Sequence, residues 1–396
     1  MSLSTEPTTT TNSLNIKNKE QVKGSMKISV QKSDLFQLLS KTQNIVEKRN
    51  TMPVLANVLL EAKNGRLKVY ATDLEVSLTD DVEAEVEMAG QVAVNAKNLF
   101  EIVRELPDGS VKLSKAENNW LSIRQNKSSF NIIGISADEY PVFPAYSTRD
   151  FIKLQPELLS DMIGKTIFSV SNDETRYHLN GVYFEQHRTD EGVQYRMVAT
   201  DGHRLSLVDR QIKTDAKPKN EGVIIPRKGL QEIGKLLGTS LSLVEMAIEG
   251  SQLIVRSGTT VLMIRLIEGK YPNYQQLIPQ SLKKRALASR DELVSSLRRV
   301  SLLSNQKSKS VTLTLTPGVL QISSNNPEMG DAREEVEIRY TGDEVKIGFN
   351  AKYLLDILNS FSDEEVDLEL NDHLSPGLIR PHNDSHYTCV VMPMRI

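Results

Sequence analysis

One pattern occurs three times in the sequence, as VNAKNLFEIV at 94–103, IPRKGLQEIG at 225–234 and FNAKYLLDIL at 349–358. A lysine stands at the same place in each copy, at Lys97, Lys228 and Lys352, so the copies lie 131 and 124 residues apart. A Tyr-Pro pair recurs at an interval of 131 residues, and Ala-Thr-Asp at 71–73 recurs at 199–201. The agreement of these landmarks predicts three copies of a unit of roughly 125 residues.

Two amphipathic helices are predicted in each unit. The apolar residues of 33–46 recur at helical spacing, and Asn95 can cap the helix that follows. The later units repeat this arrangement, with Asn350 as a second cap and Pro156 at a first helical position. Ser289 begins a segment with the spacing of a capping box.

Residues between the helices favour antiparallel strands. Alternating or β-branched residues mark strands at 57–61, 66–70 and 311–315, and Asn64-Gly65 is a strong hairpin signal. The predicted fold class is therefore α+β, with three similar domains that each pack two helices on antiparallel sheets. We expect a disordered tail or extension at 1–25, followed by domains at 26–147, 148–280 and 281–396.

Composition excludes several classes of protein. The 48 Lys and Arg residues are balanced by 51 Asp and Glu residues, which excludes a uniformly basic nucleic-acid coat but allows a surface with segregated charge. Cys389 is the single cysteine, so the sequence has no internal disulfide and favours a reducing, cytoplasmic setting. The sequence contains no run of about 18 apolar residues, so it predicts no membrane span.

Motifs of enzyme sites are incomplete in this sequence. Residues 229–236 match a phosphate-binding loop except that Leu236 replaces the Ser or Thr that holds Mg²⁺, and their apolar residues have helical spacing. His382 and His386 have the spacing of zinc ligands, but the residues between them are typical of a turn. The S-x-x-K segment at 304–307 lacks a partner motif. No cofactor, metal ion or catalytic residue is predicted.

Basic side chains recur on the predicted helices, and their repetition in successive units would line one surface with positive charge. Two other interpretations remain open from the residues alone. One is a nucleotide- or metal-dependent enzyme with a repeated α+β fold. The other is a sequence-specific DNA-binding regulator, although no helix is rich in the Arg, Asn and Gln that read base edges.

A family resemblance rests on ATDGHRL at 199–205, YHLNG at 177–181, IPRKG at 225–229 and the ending VVMPMRI at 390–396. With these motifs, the sequence from 26 to 396 closely resembles the bacterial DNA polymerase III beta subunits, which are DNA sliding clamps. The resemblance implies a head-to-tail homodimeric ring with helices around the hole and strands outside. It also implies a processivity factor for DNA replication that is not an enzyme.

The resemblance implies partners and site residues as well. Double-stranded DNA would be encircled without sequence specificity, while the polymerase III alpha subunit, the clamp loader and repair polymerases would bind through short linear peptides. The peptide pocket would comprise Leu179, Thr200, Gly202, His203, Arg204, Leu205, Pro272, Leu277, Asn350, Tyr353, Leu374, Pro376, Met392, Pro393, Met394, Arg395 and Ile396.

Two further sets of residues follow from the resemblance and from the repeated basic helices. The residues expected to face DNA are Arg49, Tyr177, His178, Lys97, Lys228, Lys235, Arg298 and Lys352. The residues expected at the interface between the two copies are Phe130, Ile132, Leu302 and Leu303.

Overall fold

The computed structural model describes residues 25–46, 52–148, 150–190, 192–212, 222–238 and 243–395. Within them lie six α-helices, two in each predicted unit: α1 (Lys32–Thr42), α2 (Ala96–Glu105), α3 (Pro156–Gly164), α4 (Arg227–Gly238), α5 (Arg290–Ser301) and α6 (Ala351–Asn359). Helix α1 is shorter than predicted, because residues 43–45 form turns. No described helix is long and apolar enough to cross a membrane.

The predicted helix starts are confirmed. Asn95 and Asn350 each accept a backbone N–H of the first helical turn through their side chains, at 3.0 and 2.9 Å. The Ser289 hydroxyl accepts one at 3.4 Å, and Pro156 is the first residue of α3. The side chains of Asn95, Asn350 and Ser289 satisfy donors that a helix leaves without partners in its first turn.

Short strands make up most of the remaining described chain. The first third contains β1 (Lys27–Gln31), β2 (Asn57–Lys63), β3 (Arg66–Thr72), β4 (Val76–Glu83), β5 (Glu85–Met88), β6 (Gly90–Asn95), β7 (Ser110–Lys115), β8 (Leu121–Gln125), β9 (Ser128–Ile132) and β10 (Gly134–Ile135). The middle third contains β11 (Ile152–Leu154), β12 (Gly181–Thr189), β13 (Gly192–Thr200), β14 (Arg204–Ile212), β15 (Val223–Pro226), β16 (Val244–Glu249), β17 (Gln252–Ser257) and β18 (Thr260–Arg265).

The last third contains β19 (Lys284–Ser289), β20 (Ser310–Thr316), β21 (Val319–Asn326), β22 (Gly330–Arg339), β23 (Val345–Asn350), β24 (Glu365–Leu370), β25 (Gly377–Pro381) and β26 (Tyr387–Val391). The three predicted strands fall within β2, β3 and β20. Asn64 and Gly65 join β2 to β3 with φ angles of 53° and 73°. Positive φ at both residues of a two-residue turn fits the twist of a hairpin.

The chain divides into two compact units. The N-terminal unit is made of the described parts of 1–40, 56–69 and 81–140, and the main unit is made of those of 41–55, 70–80 and 141–396. The N-terminal unit contains an antiparallel sheet in the order β5-β1-β7-β8-β9, in which β9 is an edge strand.

The main unit contains a twelve-stranded sheet in the order β15-β12-β13-β14-β26-β25-β24-β19-β22-β21-β20-β23. Strand β26 pairs antiparallel with β14 in this sheet, from Arg204 opposite Val391 to Val208 opposite Tyr387. The main unit also contains β18-β17-β16-β11, and β18 pairs with 76–79 of β4. Strand β14 carries Arg204 and Leu205 of the predicted peptide pocket, and β26 ends directly before Met392, so this pairing brings the two parts of the predicted pocket together.

Candidate functional site

An apolar cluster lies beneath the predicted peptide pocket. We call it the apolar floor; its members are Leu179, Val198, Leu205, Leu207, Ile224, Tyr271, Tyr274, Leu378 and Val390. Leu179 and Leu205 were both predicted for the pocket, and Leu277 packs against the floor while remaining partly exposed. The structure therefore brings these three predicted residues into one apolar cluster, in which Leu179 and Leu205 are buried and Leu277 is partly exposed.

Two tyrosines, Tyr271 and Tyr274, are among the members of the floor that the sequence did not predict. Tyr271 is buried, and Tyr183 stacks on its ring with centroids 4.9 Å apart. The Tyr271 hydroxyl makes no hydrogen bond within the described part of the chain. Burial raises the pKa of Tyr271 above that of a free tyrosine, so this phenol stays protonated at alkaline pH where an exposed tyrosine would ionise. The sequence did contain a signal for Tyr271, because this residue begins one of the Tyr-Pro pairs. That pair was interpreted only as a landmark of the repeat.

The turn after β13 is held by its own side chains. The Thr200 hydroxyl donates to the carbonyl of Arg204 at 2.6 Å and accepts the N–H of Gly202 at 3.1 Å. Gly202 has a φ of +88°, which disfavours other residues, and an added Cβ would lie 2.8 Å from Nη1 of Arg176. Asp201 accepts the N–H groups of the two residues after Gly202. These hydrogen bonds fix the shape of the turn, and Gly202 leaves one of its positions without a side chain.

Arg204 lies beneath the surface of the site, with a side chain that is only 7% exposed. Its guanidinium donates to carboxylate oxygens of Asp201 at 3.1 Å and Asp356 at 2.6 Å, and to the carbonyl of Phe168 at 2.6 Å. It also lies over the Tyr353 ring, 4.5 Å from the centroid. Because its N–H donors bond to groups of the protein itself, Arg204 stabilises the site from beneath its surface.

The end of the chain forms one side of the site. The backbone N–H of Met392 donates to the carbonyl of His203 at 2.9 Å, and that of Met394 donates to Gly348 at 2.8 Å. Met392, Pro393 and Met394 are each partly exposed. Ile396 lies outside the described residues, and Arg395 is exposed.

The remaining predicted pocket residues have different surroundings. The His203 ring lies nearly parallel to Tyr353 at 6.3 Å between centroids. Asn350 caps α6, and Pro272 is exposed. Leu374 is 68% exposed in a turn whose backbone donates to Asp372. Pro376 is partly buried next to Gly377, which pairs with Val391.

Several residues predicted to face DNA have carboxylate partners. Lys97 pairs with Glu101 at 3.8 Å, and Lys235 pairs with Glu232 at 2.7 Å. Lys228 pairs with Asp73, whose side chain is only 2% exposed. These contacts reduce the positive charge that the lysines offer to a phosphate.

The other predicted DNA-facing residues differ in kind. Lys352 and Arg298 are exposed and have no ion-pair partner among the described residues, although Arg298 donates to the side-chain oxygen of Asn359 at 3.3 Å. Tyr177 is 56% exposed, and its ring is edge-on to His178 at 5.7 Å between centroids. Arg49 lies outside the described residues.

The predicted interface residues lie at surfaces of their own units. Phe130 and Ile132 are on the edge strand β9, with Phe130 39% exposed. Leu302 directly follows α5 and is 73% exposed, whereas Leu303 is partly buried. Within its own unit, each of these features, an exposed leucine and an exposed edge strand, is typical of a surface that another chain can cover.

The motifs that resembled enzyme sites have structural explanations. Residues 229–236 lie within α4, and the side chains of Leu230, Ile233 and Leu236 are buried. The His382 ring contacts Asp367 at 3.1 Å, in the turn before β26. Within the described ranges, no three His, Cys, Asp or Glu side chains form a group suited to a metal ion.

Comparisons with protein families match the chain in three consecutive parts. Residues 26–144, 153–273 and 275–395 match the N-terminal, central and C-terminal domains of the DNA polymerase III beta subunit. The beta sliding clamp of Caulobacter vibrioides is 36% identical over 375 residues, which are 94% of this chain and all of that protein. The beta sliding clamp of Vibrio cholerae is 32% identical over 372 residues, with the same coverage.

Solved structures give the same result. A crystal structure of the Caulobacter crescentus beta sliding clamp matches with a TM-score of 0.90 at 35% identity, covering 94% of this chain and all of that one. A sliding clamp from Bartonella birtlesii, solved with griselimycin bound, matches with a TM-score of 0.88 at 35% identity and the same coverage.

Proposed function

The chain belongs to the DNA polymerase III beta subunit family, and on this premise we propose how its residues carry out the family's role. That role is the role of a DNA sliding clamp, a processivity factor in replication and not an enzyme. The nucleotide- or metal-dependent enzyme is therefore set aside. We propose three clamp domains at 26–147, 148–280 and 281–396, preceded by a tail, in a protein that works in the bacterial cytoplasm.

We propose a head-to-tail homodimer, for which strand pairing within one chain is the main support. The last strand of the middle repeat, β18, pairs with β4, and the last strand of the third repeat, β26, pairs with β14. Strands β4 and β14 each begin three residues after an Ala-Thr-Asp motif, at Val76 and Arg204. In the first two repeats, therefore, the strand that follows the Ala-Thr-Asp motif pairs with the last strand of the next repeat.

Two of the open strand edges suit contacts with a second copy. Strand β9, the last long strand of the first repeat, is an edge strand, and residues 330–337 of β22 pair on one side only, with β21, among the described strands. If β9 of one copy pairs with β22 of the other, each open edge is covered. Two such contacts related by two-fold symmetry close a ring.

We propose that the apolar floor, together with the turn at Thr200–Arg204 and the adjoining residues Met392–Arg395, receives short linear peptides. The observation that carries this proposal is the convergence of Leu179, Leu205 and the partly exposed Leu277 in one apolar cluster. Methionine walls adapt to different side chains, which suits a site shared by the polymerase III alpha subunit, the clamp loader and repair polymerases.

Topology accounts for the modest positive charge of the proposed DNA-facing helices. A closed ring stays on duplex DNA without tight contacts, and many strong phosphate contacts would increase affinity at the expense of sliding. Lys352 and Arg298 supply exposed charge, while Lys97, Lys228 and Lys235 are partly neutralised by carboxylates. This balance supports attraction to DNA without a sequence-specific contact.

A retention experiment tests the ring. The protein is loaded by its clamp loader onto nicked circular DNA, and half of the sample is then linearised. We expect the protein to persist on the circle and to run off the ends of the linear DNA. Equal lifetimes on both forms would contradict encirclement. A Leu302→Asp, Leu303→Asp variant serves as the control, because a protein that cannot close a ring should be lost from both forms.

A further inference from the structure

The two Ala-Thr-Asp turns of the chain have the same backbone geometry. Asp73 and Asp201 each accept the N–H groups of the residues two and three positions later, at 3.0 and 2.6 Å in the first turn and at 2.9 and 3.0 Å in the second. Thr72 and Thr200 each accept the N–H group two positions later, at 3.0 and 3.1 Å. The turn that borders the proposed peptide pocket therefore has a structural twin near the start of the chain.

The strands around the two turns are also equivalent. The N–H of Arg265, at the end of β18, donates to the carbonyl of Glu75 at 2.8 Å. The N–H of Met392, just after β26, donates to the carbonyl of His203 at 2.9 Å. Each turn is thus joined in the same way to the last strand of the following repeat.

A cavity of about 230 Å³ lies at the first turn, lined by Leu74, Glu75, Ser77, Pro144, Ser251, Gln252, Met263 and Arg265. Four of these residues occupy the positions of proposed pocket residues at the second turn. The corresponding pairs are Leu74 and Gly202, Glu75 and His203, Ser77 and Leu205, and Arg265 and Met392. The framework is shared, whereas the side chains differ in size, polarity and charge.

Leu74 is the most unusual of these differences. It has a φ of +75°, where the second turn has Gly202 at +88°. A leucine at positive φ is strained, and such strain usually persists where the side chain has a use. The Leu74 side chain is 51% exposed and lines the cavity, so it is not held there by burial in a core.

We propose that the first turn is a second copy of the peptide-binding framework, from which apolar partner peptides are excluded by its side chains. Leu74 fills the position that Gly202 leaves open. Glu75 and Arg265 place charged groups where the pocket has His203 and Met392. These residues are specificity determinants that restrict each chain to one peptide, and this inference rests on the proposed function of the pocket.

Conversion of the first turn tests the inference. The variant Leu74→Gly, Glu75→His, Ser77→Leu, Arg265→Met gives the first turn the four pocket residues. A fluorescently labelled peptide from the polymerase III alpha subunit is titrated by calorimetry and anisotropy against the full-length protein. We expect the number of bound peptides per chain to rise from one to two. A folded variant that still binds one peptide would overturn the inference.

A variant with only two of these substitutions tests the same inference if the fourfold variant does not fold. Leu74→Gly with Arg265→Met alters only exposed side chains, since Arg265 is 68% exposed. We expect the first turn of this variant to bind the peptide at least tenfold more tightly than the first turn of the unaltered protein does. No gain in this folded variant would overturn the inference as well.

A truncated background separates this inference from the proposed function. Deletion of residues 392–396 should remove peptide binding at the second turn. In that background, binding regained by the converted first turn would support the inference, and no regained binding would contradict it. If the truncation alone leaves peptide binding unchanged, the proposed pocket itself is wrong.

Discussion

Nη1 of Arg204 donates to Oδ2 of Asp356 at 2.6 Å, so a buried guanidinium joins the turn after β13 to helix α6. The same side chain bonds to Asp201 and lies over the Tyr353 ring. We predict that Arg204→Met lowers the free energy of unfolding by about 3–5 kcal/mol, because it leaves two carboxylates without their buried partner. Urea denaturation measures the change.

The matched control for this variant is Arg298→Met. Arg298 is exposed on α5 and lacks an ion-pair partner among the described residues, so its substitution should change the free energy of unfolding by less than about 0.5 kcal/mol. If the two variants are equally stable, Arg204 does not hold the turn to α6. Peptide affinity should fall in the Arg204 variant alone.

Local signals in the sequence were sufficient for most of the fold. The caps at Asn95 and Asn350, and the turn at Asn64-Gly65, depend on neighbours within a few residues, and all of them are confirmed. The role of Arg204 could not be predicted in this way. Its partner Asp356 is 152 residues away, and sequence spacing does not show which distant carboxylate satisfies a buried cation.

Lys228 and Lys352 occupy equivalent positions in the repeats but should affect DNA binding differently. Lys352 is exposed and has no carboxylate partner in the described parts of the chain, whereas Lys228 pairs with the buried Asp73. We predict that Lys352→Ala weakens DNA binding and reduces the salt dependence of log K by about one unit per chain. Lys228→Ala should leave the salt dependence unchanged.

The two lysine variants act as controls for each other. Lys228→Ala should lower the free energy of unfolding by about 3 kcal/mol, because the buried Asp73 carboxylate loses its cationic partner, while Lys352→Ala should be as stable as the unaltered protein. Salt titrations of DNA binding and urea denaturation measure the two effects. An equal loss of salt dependence in both variants would contradict this assignment.

The proposed interface between two copies depends on Leu302 and Leu303. We predict that Leu302→Asp with Leu303→Asp converts the dimer to monomers, because two carboxylates buried in an apolar contact cost several kcal/mol. Size-exclusion chromatography with light scattering measures the mass. The control is Val142→Asp, at a residue that is 96% exposed and outside the proposed interface. A double variant that remains dimeric would show that the interface lies elsewhere.

Tyr195 makes stability sensitive to high pH. Its hydroxyl is buried without a hydrogen-bond partner among the described residues, and burial raises its pKa to about 12. Below pH 10 the phenol is neutral in both states, so its contribution to stability is fully present. Above pH 10 the unfolded state ionises first, and this contribution is lost as the pH rises towards about 12.

The variant Tyr195→Phe isolates this effect from that of the other tyrosines. From pH 8 to pH 11, the unaltered protein should lose about 1 kcal/mol more of its free energy of unfolding than Tyr195→Phe does. At neutral pH the variant should be at least as stable, since it removes a buried hydroxyl without a partner. Parallel loss of stability in the two proteins over this pH range would show that Tyr195 ionises normally.

Deletion of 392–396 tests the proposed pocket most directly. The deletion removes Met392 and Met394, whose backbone N–H groups bond to His203 and Gly348, and so takes away the apolar side chains next to the turn at Thr200–Arg204. A peptide with about micromolar affinity should lose roughly 2–4 kcal/mol, a weakening of about 30- to 1000-fold, because buried apolar anchors dominate such interfaces. Anisotropy titration of the labelled peptide measures the loss, and a sizing column should show a dimer, since β9 is untouched. Unchanged peptide affinity in a truncated dimer would place the binding site on another surface.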